Sequence, residues 1–336
     1  MADIFRPWGQ LQWLMGKLPG GNWSFLGTLG TEDRCTTALS QLAPEIVQQT
    51  FIKIYDPHMS PAAAFEARFQ EIEKRLSNAG LRPEEIVEAD LLQDIDSIEE
   101  VSTSFIESAS NRVVLDISSM PKRWFFPILR FLLNDQRVET LVVCYSVAER
   151  YGSQLSSDPL PLGPLPTFDR PRNLSSYEDL IVSVGFAPLG LKDLFEAEIE
   201  KIRYLFPFPP GPPNYFRNWD FLRKLESEVK NRSLKVEDRW QVHTFDLPDA
   251  FEALCRATNY GERTCALAPF GPKTHSLAMC LFALSAENAG KEPVHVYYTQ
   301  PRRYALDYSI GVASKHNQPD TKAYCIKLNG RNLYDI

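Results

Sequence analysis

From residue 22 onward, short apolar runs alternate with longer stretches in which apolar residues recur every three or four positions. Apolar runs bounded by turn residues read as buried strands, and the wider spacing reads as amphipathic helix. The pattern predicts strands over 23–29, 50–55, 86–91, 112–117 and 139–146, with helices over 34–42, 61–78, 94–108 and 122–133 between them. The same order then recurs. Strands are predicted over 179–184, 204–208, 240–245, 264–268 and 294–299, and helices over 191–203, 218–230, 248–258 and 274–289. Strands alternating with helices of this length imply parallel sheets with right-handed crossovers. The expected fold class is therefore α/β, as two tandem Rossmann-like parallel-sheet repeats related by a pseudo-twofold.

Local matches point the same way. Pro121-Lys122 corresponds to Pro272-Lys273 at an offset of 151, and Val143–Tyr151 to Val296–Tyr304 at an offset of 153, each strand ending in Arg-Tyr. The Pro-rich stretch from Asp158 to Pro171 reads as an extended, semi-rigid spacer. The expected organisation is an N-terminal segment 1–21, a first repeat 22–157, a linker 158–172 and a second repeat 173–336. Phe5, Trp8, Leu11, Trp13, Leu14 and Met15 suit packing of the N-terminal segment on the main body, or docking of a partner. The last apolar segment, 323–330, alternates like an edge strand before a turn.

Composition removes several classes of protein. A hydrophobic fraction of 44% and a charged fraction of 24% over 336 residues are those of an ordinary globular protein. A net charge of −7 argues against coating nucleic acid through bulk charge, although a local basic cleft survives that argument. No run approaches the roughly 18 apolar residues a membrane helix needs. The N-terminus lacks a basic region followed by an apolar one, so a cytoplasmic chain without membrane contact is expected. The six cysteines (Cys35, Cys144, Cys255, Cys265, Cys280, Cys325) lie mostly in apolar runs and read as buried free thiols. With five scattered histidines and no pairs at ligand spacing, no metal site is expected.

Open parallel sheets bind ligands beyond the carboxyl ends of their strands, where helix N-termini present free N–H groups. After the first strand comes Gly27-Thr28-Leu29-Gly30-Thr31-Glu32, in which Thr28 and Thr31 are either ligand contacts or parts of an ordinary turn. The matching stretch of the second half, 185–190, has no polar side chain. After the fourth strand, Ser118, Ser119 and Lys122 suit an anion, with a plain helix cap as the alternative. The counterpart, Ala268-Pro-Phe-Gly-Pro-Lys-Thr-His-Ser276, is the densest candidate: Gly271 for backbone approach, Lys273 and Thr274 for anionic oxygens, and His275 as a candidate acid or base. After the fifth strand, Arg302, Arg303 and Tyr304 suit a phosphate or a stacked base, whereas the first half offers Arg150.

No Gly-x-Ser-x-Gly elbow, kinase signature, three-glycine dinucleotide fingerprint or Walker A lysine occurs, and no cofactor is specified. Three readings stay open. The first is a binder of an anionic, nucleotide-like small molecule. The second is a nucleotide- or nucleic-acid-processing enzyme using Lys273, His275, Arg302 and Arg303. The third is a protein-interaction scaffold presenting the aromatic, Pro-rich loop 204–213.

Asp116-Ile-Ser-Ser-Met-Pro-Lys122 and Phe270-Gly-Pro-Lys-Thr274, each placed after the fourth strand of a Rossmann-like unit, resemble the CARF family. Two such units in one chain resemble the SAVED domains; the likeness is architectural and covers about residues 22–315. It implies a nucleotide-binding sensor or adaptor of prokaryotic antiviral defence. With no effector domain appended, such a chain would signal to a separate protein effector.

Overall fold

The computed structural model describes residues 5–55, 62–78, 86–168, 176–196, 198–210, 215–228, 239–292 and 294–336. The chain forms two compact units, one from residues 1–158 and 301–333, the other from 159–300 and 334–336.

Unit 1 begins with β1 (Trp8–Gln10) and α1 (Leu11–Met15), then β2 (Trp23–Leu29), a 3-10 turn (Asp33–Thr36), α2 (Thr37–Leu42) and β3 (Ile46–Tyr55). It continues through α3 (Ala62–Asn78), β4 (Ile86–Asp90), α4 (Ile95–Ser108), β5 (Arg112–Asp116), α5 (Lys122–Asn134) and β6 (Thr140–Ser146). Two short strands, β7 (Ala148–Tyr151) and β8 (Ser156–Pro159), close this part of the chain. Unit 2 comprises β9 (Gly163–Pro164), β10 (Ser176–Ser183), a 3-10 turn (Leu191–Glu196), β11 (Glu198–Phe208), α6 (Tyr215–Glu228) and β12 (Arg239–His243). It is completed by α7 (Leu247–Ala257), β13 (Cys265–Pro269), α8 (Lys273–Asn288) and β14 (Val294–Tyr298). The chain then re-enters unit 1 with β15 (Pro301–Tyr304), β16 (Ser309–Val312), β17 (Ser314–Lys315), β18 (Gln318–Pro319), β19 (Thr321–Leu328) and β20 (Arg331–Asn332).

The fold class is α/β. Unit 1 has a parallel core ordered β6-β5-β2-β3-β4, extended by β19 and β1 beyond β6, and both added strands run antiparallel to their neighbours. Unit 2 has a parallel core ordered β12-β11-β10-β13-β14, with β9 antiparallel on β14. Counting parallel strands in chain order, each core reads 3-2-1-4-5. Strands covered on both faces carry continuous apolar runs, and every residue of β2 and β6 is buried. In unit 2, α8 is buried from Thr274 to Ala286, while Leu180, Val182, Tyr204, Phe221 and Ala266 form part of one core cluster. The fully buried Asp179 of β10 accepts from Arg203 Nε of β11 at 3.0 Å and from Arg263 Nε at 2.6 Å. All six cysteines are free and buried. Burial pushes the Cys35 and Cys325 thiols up to about 12, which removes thiolate chemistry at neutral pH.

Four sequence expectations change. Residues 301–333 belong to unit 1 and not to the second repeat, because β19 zips against β6 from Thr321 to Lys327. The segment read as an edge strand is therefore interior, flanked by β6 and β1. Lys322 pairs with Asp320, and Lys327 reaches the carbonyls of Leu133 and Asp135 at 3.0 Å, so their stems are buried. The helix expected over 191–203 stops at Glu196 and gives way to β11. Ile199 and Ile202, three apart, imitate a helix face, but pairing with β10 and β12 overrides that local signal. The linker 158–172 is partly strand: β9 pairs with β14, and Leu165 and Phe168 are buried. The N-terminal segment does pack on its unit, through β1 and through buried Leu11, Leu14 and Met15.

Candidate functional site

In a 3-2-1-4-5 sheet the chain changes direction between the first and fourth strands, and the crevice beyond their carboxyl ends is the customary ligand position. The crevice lies between β2 and β5 in unit 1, and between β10 and β13 in unit 2.

The unit 2 position is closed. A β-carbon on Gly185 would overlap the Phe270 carbonyl, and one on Gly271 would overlap Ser183 Oγ. Gly271 therefore lets two strand-end loops meet backbone to backbone; the approach it permits is to protein and not to a ligand. Asn218 Nδ2 donates to the carbonyl of Val184 at 3.3 Å and holds the same loop from α6. His275 is fully buried, with Nδ1 3.2 Å from Ser183 Oγ and Nε2 3.1 Å from the His243 carbonyl. A carbonyl only accepts, so Nε2 carries the proton and Nδ1 accepts from the serine. Burial pulls its pKa down to about 4, keeping it neutral. The candidate acid or base is thus a core histidine with both ring nitrogens engaged. Thr274 is also buried, and Lys273 is partly buried at the start of α8. Gly271→Ala is expected to destabilise unit 2 by about 1–3 kcal/mol through overpacking. Urea unfolding checks this, and unchanged stability would restore the ligand-approach role.

The unit 1 position is built differently. The loop after β5 is an Asx turn, in which Asp116 Oδ1 accepts from Ser118 N at 2.8 Å and from Ser118 Oγ. Ser118 Oγ in turn accepts from Ser146 N at the end of β6, at 2.7 Å. Ser118 is thereby consumed as a structural link. Ser119 Oγ donates to the Thr28 carbonyl at 3.0 Å and ties this loop to the end of β2. The Thr28 hydroxyl, on a residue only 3% exposed, has no hydrogen-bond partner among the described residues. Lys122 opens α5 three residues beyond Ser119. The residue keeps some exposure, yet burial pulls its ammonium down to about 8. Thr31 is half-buried, and its carbonyl accepts from Arg68 Nε at 2.9 Å.

Beside these loops lies a polar cluster that the sequence reading missed. Arg34, 1% exposed, pairs with Glu32 at 2.8 Å and donates to Tyr145 Oη at 3.2 Å and to the Ser146 carbonyl at 3.4 Å. Its guanidinium stands 5.4 Å from the Tyr145 ring centroid and 5.9 Å from that of Tyr151. Burial opposes its charge most strongly, but Glu32 together with Tyr145, Tyr151 and Tyr308 outweighs it and raises the pKa. Tyr145 Oη and Tyr151 Oη are 3.0 Å apart, and Ser309 Oγ donates to Glu32. The cluster draws on β6, β7, β16 and the loop after β2, so no local motif advertises it.

Tyr304 joins its outer side, with its ring 5.7 Å from that of Tyr308, which lies 6.1 Å from Tyr151. Arg150 is exposed on β7, and Arg302 and Arg303 stand on β15, Arg303 exposed. These three arginines belong to unit 1, whereas Lys273 and His275 belong to unit 2. Neither unit by itself holds the four-residue enzyme cluster that the sequence suggested. Among the described residues no helix is long and apolar enough to cross a membrane.

No protein-family profile matches the chain, and no curated protein does. Among solved structures, a protein of unknown function from Pseudomonas aeruginosa aligns at 8% identity, covering 83% of this chain and 92% of that one, with a TM-score of 0.25. A candidate universal stress protein from the same species aligns at 9% identity over 83% and 93%, with a TM-score of 0.24. Likeness at this level bears on neither fold nor function.

Proposed function

We propose that unit 1 binds a small anionic, nucleotide-like ligand at the carboxyl ends of β2 and β5, and that the protein acts as a sensor or adaptor. The observation that carries this is the Thr28 hydroxyl, buried and without a hydrogen-bond partner among the described residues, at the strand end where α/β sheets bind ligands. Leaving such a group unsatisfied costs about 1–3 kcal/mol, and a ligand oxygen or hydroxyl would recover it. Lys122 supports an anion. Desolvation disfavours its charge, and a bound phosphate or carboxylate would restore it. The CARF- and SAVED-like arrangement of strand, Ser-Ser-Met-Pro and Lys favours a signalling nucleotide, and a role in antiviral defence would follow from that likeness. An enzymatic role draws less support, since its acid–base candidate is a neutral, buried histidine.

Calorimetric titration with inorganic pyrophosphate, ATP and cyclic oligonucleotides tests the reading. At pH 8, an ammonium that titrates near 8 is half protonated. Binding should therefore take up about half a proton, visible as a difference between buffers of unlike ionisation enthalpy. Lys122→Met should abolish that uptake and weaken binding about tenfold or more. Thr28→Val should weaken it less. Binding that is indifferent to both substitutions, or no binding by any of these anions, would overturn the proposal.

A further inference from the structure

We infer that the ribbon of β7 and β16 reports occupancy of the unit 1 strand-end site. This rests on the ligand reading above and adds the element through which binding would be felt.

The ribbon is short: Ser309 pairs with Tyr151, Ile310 with Arg150 and Val312 with Ala148, antiparallel and apart from the main sheet. What holds it is the loop that follows β2. Glu32 accepts from Ser309 Oγ, and Asp33 Oδ2 accepts from Gly311 N at 3.2 Å. A β-carbon on Gly311, which sits at φ +67°, would overlap the Glu149 carboxylate, so the two strands also meet closely here. The same loop is joined to the second ligand loop through Ser146, whose carbonyl accepts from Arg34 while its N–H donates to Ser118 Oγ. Tyr145 and Tyr151 complete the circuit, hydroxyl to hydroxyl, from β6 to β7. Both loops flanking the candidate site therefore reach the ribbon through three or fewer hydrogen-bonded links, all buried or partly buried. A ligand drawing on Thr28 and Lys122 must adjust these loops, and the loops cannot shift without loading Glu32, Asp33 and Arg34. Glu149 and Arg150 are both exposed on β7, so Arg150 acquires a place at the output instead of at the ligand.

Hydrogen exchange of the full chain, with and without saturating inorganic pyrophosphate, decides the point, with calorimetry run on the same samples. Amides of 148–151 and 309–312 should slow by about fivefold or more on binding, the lower end of ordinary coupling between sites. Ser309→Ala removes a neutral hydroxyl and leaves the Arg34–Glu32 pair in place. It should keep pyrophosphate affinity within about twofold while the ribbon response shrinks. Tyr151→Phe, which deletes one hydroxyl, provides a second gentle break. Heat of binding with an unchanged ribbon would overturn the coupling and leave the ligand reading standing. A full ribbon response in both variants would also overturn it. Absence of both heat and exchange change with pyrophosphate, and equally with ATP and cyclic oligonucleotides run in its place, would overturn the ligand reading and the ribbon's role with it.

Discussion

Arg34→Met is expected to cost unit 1 about 3–5 kcal/mol, because it leaves the Glu32 carboxylate buried without its cation. Glu32 is 8% exposed and Arg34 1%, and the pair is held at 2.8 Å with Ser309 on the same carboxylate. The loss comes from the orphaned charge more than from the missing attraction. The double variant Arg34→Met with Glu32→Leu should therefore recover most of it, since two apolar side chains can replace a buried ion pair at little net cost. Urea unfolding, with hydrogen exchange of peptides from the β2–β6 sheet as the local probe, measures both. A single-variant cost below about 1 kcal/mol would mean that water reaches Glu32 and that the cluster is not a sealed polar core.

Acidification is expected to weaken unit 2 through His275 by about 3 kcal/mol between pH 6.5 and pH 4. The folded-state pKa is about 4, against 6.5 for a free imidazole. Above pH 6.5 the ring is neutral in both folded and unfolded chains, and the full stability is present. As pH falls below 6.5 the unfolded chain takes up a proton that the buried ring refuses. Stability then declines by about 1.4 kcal/mol per pH unit until the folded pKa is passed. His275→Gln, which keeps hydrogen-bonding capacity without titrating, should be less stable than the native protein at pH 7 and nearly match it at pH 4. Comparing the two at each pH cancels the other titrating groups. Parallel curves would show that His275 is solvated, and would reopen it as an acid or base.

The two carboxylate clusters show why site residues were harder to read than elements. Ser118 and Ser119 were legible as hydroxyls after a buried strand, and both do occupy the switch-point loop. Only the structure shows that Ser118 is spent on Asp116 and Ser146 while the Thr28 hydroxyl is left over. Gly271, Lys273, Thr274 and His275 made the densest motif, yet density along the chain is not exposure. The close approach at Gly185 and Gly271 seals that strand end. Arg34 sits in an unremarkable turn between Asp33 and Cys35, and its partners Tyr145, Ser146 and Tyr151 are more than 100 positions away. Asp179, Arg203 and Arg263 carry no motif either, and meet because β10 lies between β11 and β13 in the sheet.

The alternation of apolar runs and amphipathic stretches determined, by itself, that this is an α/β protein with parallel sheets. It also placed most strands and helices to within a few residues, because strand and helix periods are local properties of burial. It pointed to the cysteines as core residues, since most of them lie in apolar runs that must be buried somewhere. What only the tertiary structure decided was membership and closure. The chain leaves unit 1, builds unit 2 and comes back, and nothing local distinguishes a strand that completes its own sheet from one that returns to an earlier one. Pairing energy is collected wherever a free sheet edge and a buried face coincide. For β19 that place is β6, about 180 positions earlier in the chain. The same non-local packing closed one strand end with glycines and left a buried hydroxyl unpartnered at the other, and this difference separates the candidate site from its look-alike.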